Sequence, residues 1–139
     1  MTQASQPPEG QRSLFLGLIG TPYESDLLTT TTRLAEAAVR QGHQVTVWTC
    51  GYATALTASA LDPVKPRNTI AWDTRDPSPA ALAAHLLEWA GGRLAWLVCR
   101  YCAEERGTMD QMPGVRIRPP YEFVQRAHAA DACLVLGTK

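Results

Sequence analysis

Apolar and polar positions fall into blocks whose period changes along the chain. Leu14 to Ile19 is a short unbroken apolar run closed by Gly20, the pattern of a strand buried on both faces of a parallel sheet. Thr21-Pro22-Tyr23-Glu24 reads as a helix start, with Thr21 as cap, Pro22 at the first helical position and Glu24 three residues after the cap, and a start a few residues later fits equally well. Leu27, Thr31, Leu34, Ala35 and Ala38 share one face of that helix, and Gly42 ends it. The threonines at 29–32 lower its intrinsic propensity, so packing must hold it. Val45, Val47 and Trp48 mark a second strand over 44–50.

The pattern then loosens. Tyr52 to Leu61 suits a short helix, Asp62 to Asn68 is a loop with two prolines, and Ile70 and Trp72 suggest a short extra strand. Ser78-Pro79 opens a helix in which Leu82, Leu86 and Trp89 recur at helical spacing, closed by Gly91-Gly92. Leu94 to Cys99 is another buried strand, with a short helical segment over Cys102 to Gly107 behind it. Met109 to Pro120 reads as a wandering loop, Pro120 to Ala130 as a helix with Phe123, Val124 and Ala127 inward, and Ala132 to Leu136 as a final strand. Strands alternating with helices predict an α/β fold: one domain with an open, mostly parallel sheet and helices on both faces, three layers in all.

Composition narrows this picture. The chain has 139 residues, enough for one domain with a sizeable core. Residues 1–12 are polar, with no basic region leading into an apolar stretch, and read as a disordered leader ahead of a single domain at 13–139. Thirteen basic and thirteen acidic residues cancel, so no global field draws the protein to nucleic acid or a membrane surface. The longest apolar runs fall far short of the roughly 20 residues that span a bilayer. A cytoplasmic protein with reduced thiols is the expectation. No phosphate-binding glycine fingerprint is present, so no nucleotide and no other cofactor is expected.

Candidate chemistry concentrates in Val98-Cys99-Arg100-Tyr101-Cys102-Ala103-Glu104-Glu105-Arg106-Gly107. In open α/β sheets functional groups gather beyond the carboxyl ends of the strands, and Cys99 ends one. The amides of the following helix and the guanidinium of Arg100 are expected to favour its thiolate, the form that attacks sulfane sulfur or a disulfide. Glu104 and Glu105 would oppose this only if they pointed inward, and are expected to face solvent. Cys102, three residues on, lies within one turn, placed to resolve or guard Cys99.

The same stretch resembles the DsrE/DsrF-like family of sulfur-relay proteins, which includes the TusD-type carriers. The resemblance rests on Leu97-Val98-Cys99 ending a strand, on Cys99-Arg100-Tyr101-Cys102, and on Arg106-Gly107 closing a short helix; Gly114-Val115 and Ala130 to Leu136 also match, so that it spans 14–137 in element order. It implies a sulfurtransferase or sulfur carrier in which Cys99 takes sulfane sulfur as a persulfide and Cys102 assists. It further implies donor and acceptor proteins or small-molecule persulfides as partners, and a homo-oligomer, trimeric or hexameric. The chain departs from the family pattern at Cys50-Gly51, where a polar or acidic residue is expected before glycine, and in the long stretch Asp62 to Pro79.

Arg100, Tyr101, Arg106 and Cys50 are candidates to line the site, Cys50 because it ends a strand at the same sheet edge. Tyr101 also fits a packing role over the cysteines, and Arg106 a role closing the helix through its carbonyls. Arg116 and Arg118 sit in the loop expected near the site, as anion binders or solvated surface charge. Cys133, inside an apolar strand, is expected in the core. His43, His85 and His128 stand at no ligand spacing from the cysteines, and one C-x-x-C supplies half of a four-ligand site, so no metal is expected. Two other functions remain open: a thiol–disulfide redox protein using the pair, against which stands its position after the third strand, and a metal-binding or assembly module.

Overall fold

The computed structural model describes residues 9–20, 27–60 and 77–137. Among the described residues five strands, β1 (Ser13–Ile19), β2 (Gln44–Cys50), β3 (Leu94–Cys99), β4 (Val115–Arg118) and β5 (Ala132–Gly137), form one sheet in the order β4-β3-β2-β1-β5. Every pairing is parallel. Four helices among the described residues connect them: α1 (Leu27–Arg40), α2 (Pro79–Ala90), α3 (Arg100–Arg106) and α4 (Glu122–Ala129), with a 3-10 turn at Gly51–Thr57.

The strand order explains the layers. From β1 to β3 the chain steps in one direction, and right-handed crossovers put α1 and α2 on one face; from β4 it returns past β1 to β5, and the same handedness puts α4 on the other. On the first face Leu16, Val45, Val47, Trp96 and Val98 pack against Ala35 and Val39 of α1 and Ala83, Leu86 and Ala90 of α2. On the second, Phe15, Trp48, Leu97 and Cys99 pack against Phe123, Ala127 and Ala130. Gly17 lies under the Phe123 ring, where a Cβ would stand in ordinary contact at 3.4 Å. Phe123 meets Phe15 and Trp48 edge-on at 5.3 and 5.8 Å between ring centres.

Helix faces differ in detail from the periodic reading. In α1 the buried stripe is Thr31, Ala35 and Val39, while Leu34 is half-exposed. Thr31 tolerates full burial because its hydroxyl donates to the Leu27 carbonyl at 2.7 Å. In α2 the small residues Ala80, Ala83 and Ala90 with Leu86 face inward, so that Leu82 and Trp89 stand half-exposed and Trp89 lies under the Arg40 guanidinium. Its start is as expected: the Ser78 hydroxyl caps Ala81 N–H and Pro79 follows. In α4 Val124 is exposed, because the inward stripe runs through Phe123, Ala127 and Ala130.

Two expectations about strands are corrected. Arg116 and Arg118 lie not in a loop but in β4, a four-residue edge strand whose Val115 and Ile117 face the core; its alternation is too short to stand out between prolines. Cys133 is exposed, not buried, because β5 is an edge strand among the described residues. The helix start at Thr21, the strand at Ile70 and Trp72, and most of the leader lie outside the described residues.

Candidate functional site

Thr49 of β2 pairs with Val98 of β3, so the next residues on both strands, Cys50 and Cys99, leave the sheet side by side at its carboxyl edge. Both belong to the face that carries Trp48 and Leu97. Helix α3 begins directly after Cys99, and its first turn brings Cys102 to the same place. The three sulfurs all lie within 4.8 Å of one another. Cys99 is buried; Cys50 and Cys102 are half-buried.

The backbone around the cluster is fixed from both sides. Gly51, directly after Cys50, has φ +63°, and a Cβ there would come 3.2 Å from the backbone nitrogen of Gly20, so the turn out of β2 needs glycine on two counts. The 3-10 turn that follows is tied to the segment after α3: Thr54 and Thr108 share a hydroxyl hydrogen bond at 2.8 Å, the Gln111 side-chain amide donates to Thr54 O at 2.9 Å, and Met112 N–H donates to Thr57 O at 2.9 Å. The arm carrying Cys50 is thereby held against the arm carrying Cys102. Helix α3 ends at Gly107, φ +69°, in a left-handed cap.

Burial governs the thiols. It pushes Cys50 up to about 12, although the Trp48 indole N–H, donating to its sulfur at 3.0 Å, pulls downward. Burial also raises Cys99, against the downward pull of the Cys102 amide; the expectation of a lowered Cys99 is therefore corrected. A seven-residue helix and an exposed Arg100 offset too little of the desolvation. The contact between Cys50 and Cys99 raises the first and lowers the second, while the Cys102 thiol raises Cys99.

The remaining candidates are spread around this centre. Arg100 and Tyr101 are exposed on the first turn of α3, as are Glu104 and Glu105 on its second. Arg106 is half-buried, its guanidinium 4.9 Å from the Tyr52 ring centre, donating to Cys102 O at 3.4 Å and to Glu105 at 3.0 Å. Arg118 is the register partner of Cys99 on β4, but its guanidinium pairs with Glu122 at 2.9 Å. Sequence reasoning undervalued Cys50. The available signal was that two successive strands both end in cysteine, which in a parallel sheet with neighbouring crossovers sets the two side by side.

No protein-family model matches the chain, and no curated protein matches it. Among the described residues no helix is long and apolar enough to cross a membrane. Among solved structures, the ychN protein from E. coli is similar with a TM-score of 0.71 and 21% identity, covering 90% of this chain and 99% of that one. The likeness is one of fold: a five-stranded parallel sheet layered between helices, built over nearly the full length of both chains.

Proposed function

We propose that the protein is a sulfur carrier of the sulfurtransferase type, with Cys99 as the acceptor. The observation that carries the reading is the convergence of Cys99, Cys102 and Cys50 at the carboxyl edge of β2 and β3. The DsrE/DsrF-like pattern around Cys99 and the fold likeness support it.

In loading, the Cys99 thiolate attacks the outer sulfur of a donor persulfide R–S–SH. The donor S–S bond breaks, R–S⁻ leaves and takes up a proton, and Cys99 holds the persulfide. The Cys102 amide and the Cys50 thiol favour the anion that attacks, against burial and the neighbouring Cys102 thiol, which oppose it. Burial keeps the resting thiol protonated at neutral pH, which slows adventitious oxidation as well as loading.

Delivery runs the exchange in reverse to an acceptor thiol. The other route lets Cys102 attack the inner sulfur, forming a Cys99–Cys102 disulfide and expelling hydrosulfide; a dithiol reductant then restores both thiols. Arg100 and Tyr101, exposed beside the site, are the contacts offered to donor and acceptor proteins. The oligomer implied by the resemblance has a natural face in β5 and α4, where Val124, Leu134 and Val135 are exposed.

The test is single-turnover delivery from protein preloaded with polysulfide to a thiol acceptor. Transfer of one sulfur per chain in wild type and in Cys102→Ser supports direct relay. Release only as hydrosulfide, abolished in Cys102→Ser, supports the disulfide route. No transferable sulfur would reject the proposal.

A further inference from the structure

The expectation of no metal counted two thiols. The fold supplies a third from β2, and the three sulfurs already lie within 4.8 Å of one another. We propose that Cys50, Cys99 and Cys102 form a three-thiolate site for Zn²⁺, with a solvent molecule as fourth ligand. This goes beyond the sulfur-carrier reading and does not depend on it.

Thiolate ligands select soft or borderline cations, and sites with three protein ligands and one open position are a standard zinc arrangement. Around a tetrahedral zinc with bonds of about 2.3 Å, neighbouring sulfurs stand about 3.8 Å apart. The cluster therefore needs to close by at most about 1 Å to take the ion, within reach of small side-chain rotations. Cys50 and Cys102 are half-buried, so water reaches the fourth position, while Cys99 anchors the site from the core.

Charge selects the ion. The donors that face the sulfurs, the Trp48 indole N–H and the Cys102 amide, are neutral. Three thiolates around Zn²⁺ leave a net charge of −1, whereas the same cage around Cu⁺ would leave −2; among the described residues the nearest hydrogen-bonded cation, Arg106, reaches the Cys102 carbonyl and not a sulfur. Binding is simple exchange: three S–H protons go to solvent, three Zn–S bonds form, and nothing is oxidised or reduced. Trp48 then acts as the outer partner that orients Cys50, with its N–H 3.0 Å from the ligand sulfur. The ties of Thr54 to Thr108 and Gln111 keep the two arms of the site together before the ion arrives.

The experiment uses reduced, chelator-stripped full-length protein under anaerobic conditions, titrated with Cd²⁺ while the ultraviolet sulfur-to-cadmium absorbance counts thiolates, and with Zn²⁺ against a chromophoric chelator. The expected result is one ion per chain with the absorbance of three thiolates. It falls to two-thirds in Cys50→Ser and in Cys102→Ser, with Zn²⁺ affinity down at least tenfold in each, and is unchanged in Cys133→Ser. A wild-type count of two thiolates or fewer, an unaltered titration in Cys50→Ser, or a loss in Cys133→Ser would overturn the proposal. The wild-type count needs no variant, so it decides even if a substitution prevents folding. No sulfur donor enters the titration, so its failure and failure of the carrier reading are separate results.

Discussion

The indole N–H of Trp48 donates to the sulfur of Cys50, two residues along the same strand and on the same face, at 3.0 Å. Trp48 is fully buried and packs edge-on against Phe123 of α4, so one side chain links the second core to the thiol cluster. Replacing it by phenylalanine removes both bulk and donor. Trp48→Phe is expected to destabilise the protein by about 1–3 kcal/mol in denaturant unfolding. It also slows alkylation of Cys50 in the folded protein, because the lost bond was what drew that thiol downward. Unchanged stability with faster labelling of Cys50 would refute the assignment.

Gly51 and Gly107 both have positive φ, yet only Gly51 is crowded, with the Gly20 backbone 3.2 Å from where a Cβ would stand. Gly107→Ala is expected to cost about 1 kcal/mol, the usual penalty for filling a left-handed cap. Gly51→Ala should cost clearly more and also disturb the thiols, since it redirects the chain directly after Cys50. Equal unfolding midpoints for the two variants would contradict this.

Asp131 fastens the start of β5 to the start of β1. Its carboxylate accepts from Ser13 N–H at 2.7 Å and from the Ser13 hydroxyl at 3.2 Å, and these bonds hold it below the usual carboxylate range. A depressed folded value means the contribution is fully present above the unfolded value near about 4 and is lost as pH falls through the folded one. Unfolding midpoints followed from neutral pH into acid should therefore fall less steeply in Asp131→Asn than in wild type. Parallel curves would remove Asp131 from the account.

The exposed edge makes its own prediction. If β5 and α4 form the assembly face, Leu134→Lys combined with Val135→Glu lowers the mass seen by light scattering and speeds maleimide labelling of Cys133, which lies between Ala132 and Leu134 on that strand. A mass unchanged by the double substitution places the contact elsewhere.

Much of this architecture was legible in the residues. Continuous apolar runs marked β1 and β3, Val45, Val47 and Trp48 marked β2, and Ser78-Pro79 with Gly91-Gly92 marked α2, and Cys99 was correctly set at a strand end. What escaped depends on neighbours in space. β4 is four residues long and becomes a strand by pairing with β3. Cys133 looks like core because β5 is apolar, but only the strand order reveals that β5 is an edge. Cys50 becomes part of the cluster through the register of β2 on β3, and the thiols' upward shifts follow from burial that no spacing rule reports.

The central claim is that Cys99 is the atom-level acceptor of sulfane sulfur, and peptide-resolved mass spectrometry after exposure of the reduced protein to polysulfide tests it most directly. The expected result is one added sulfur, removed by reductant, on the peptide bearing Cys99, and its loss in Cys99→Ser while Cys133→Ser loads normally. Sulfur found equally in Cys99→Ser, or no adduct on wild type, would contradict it.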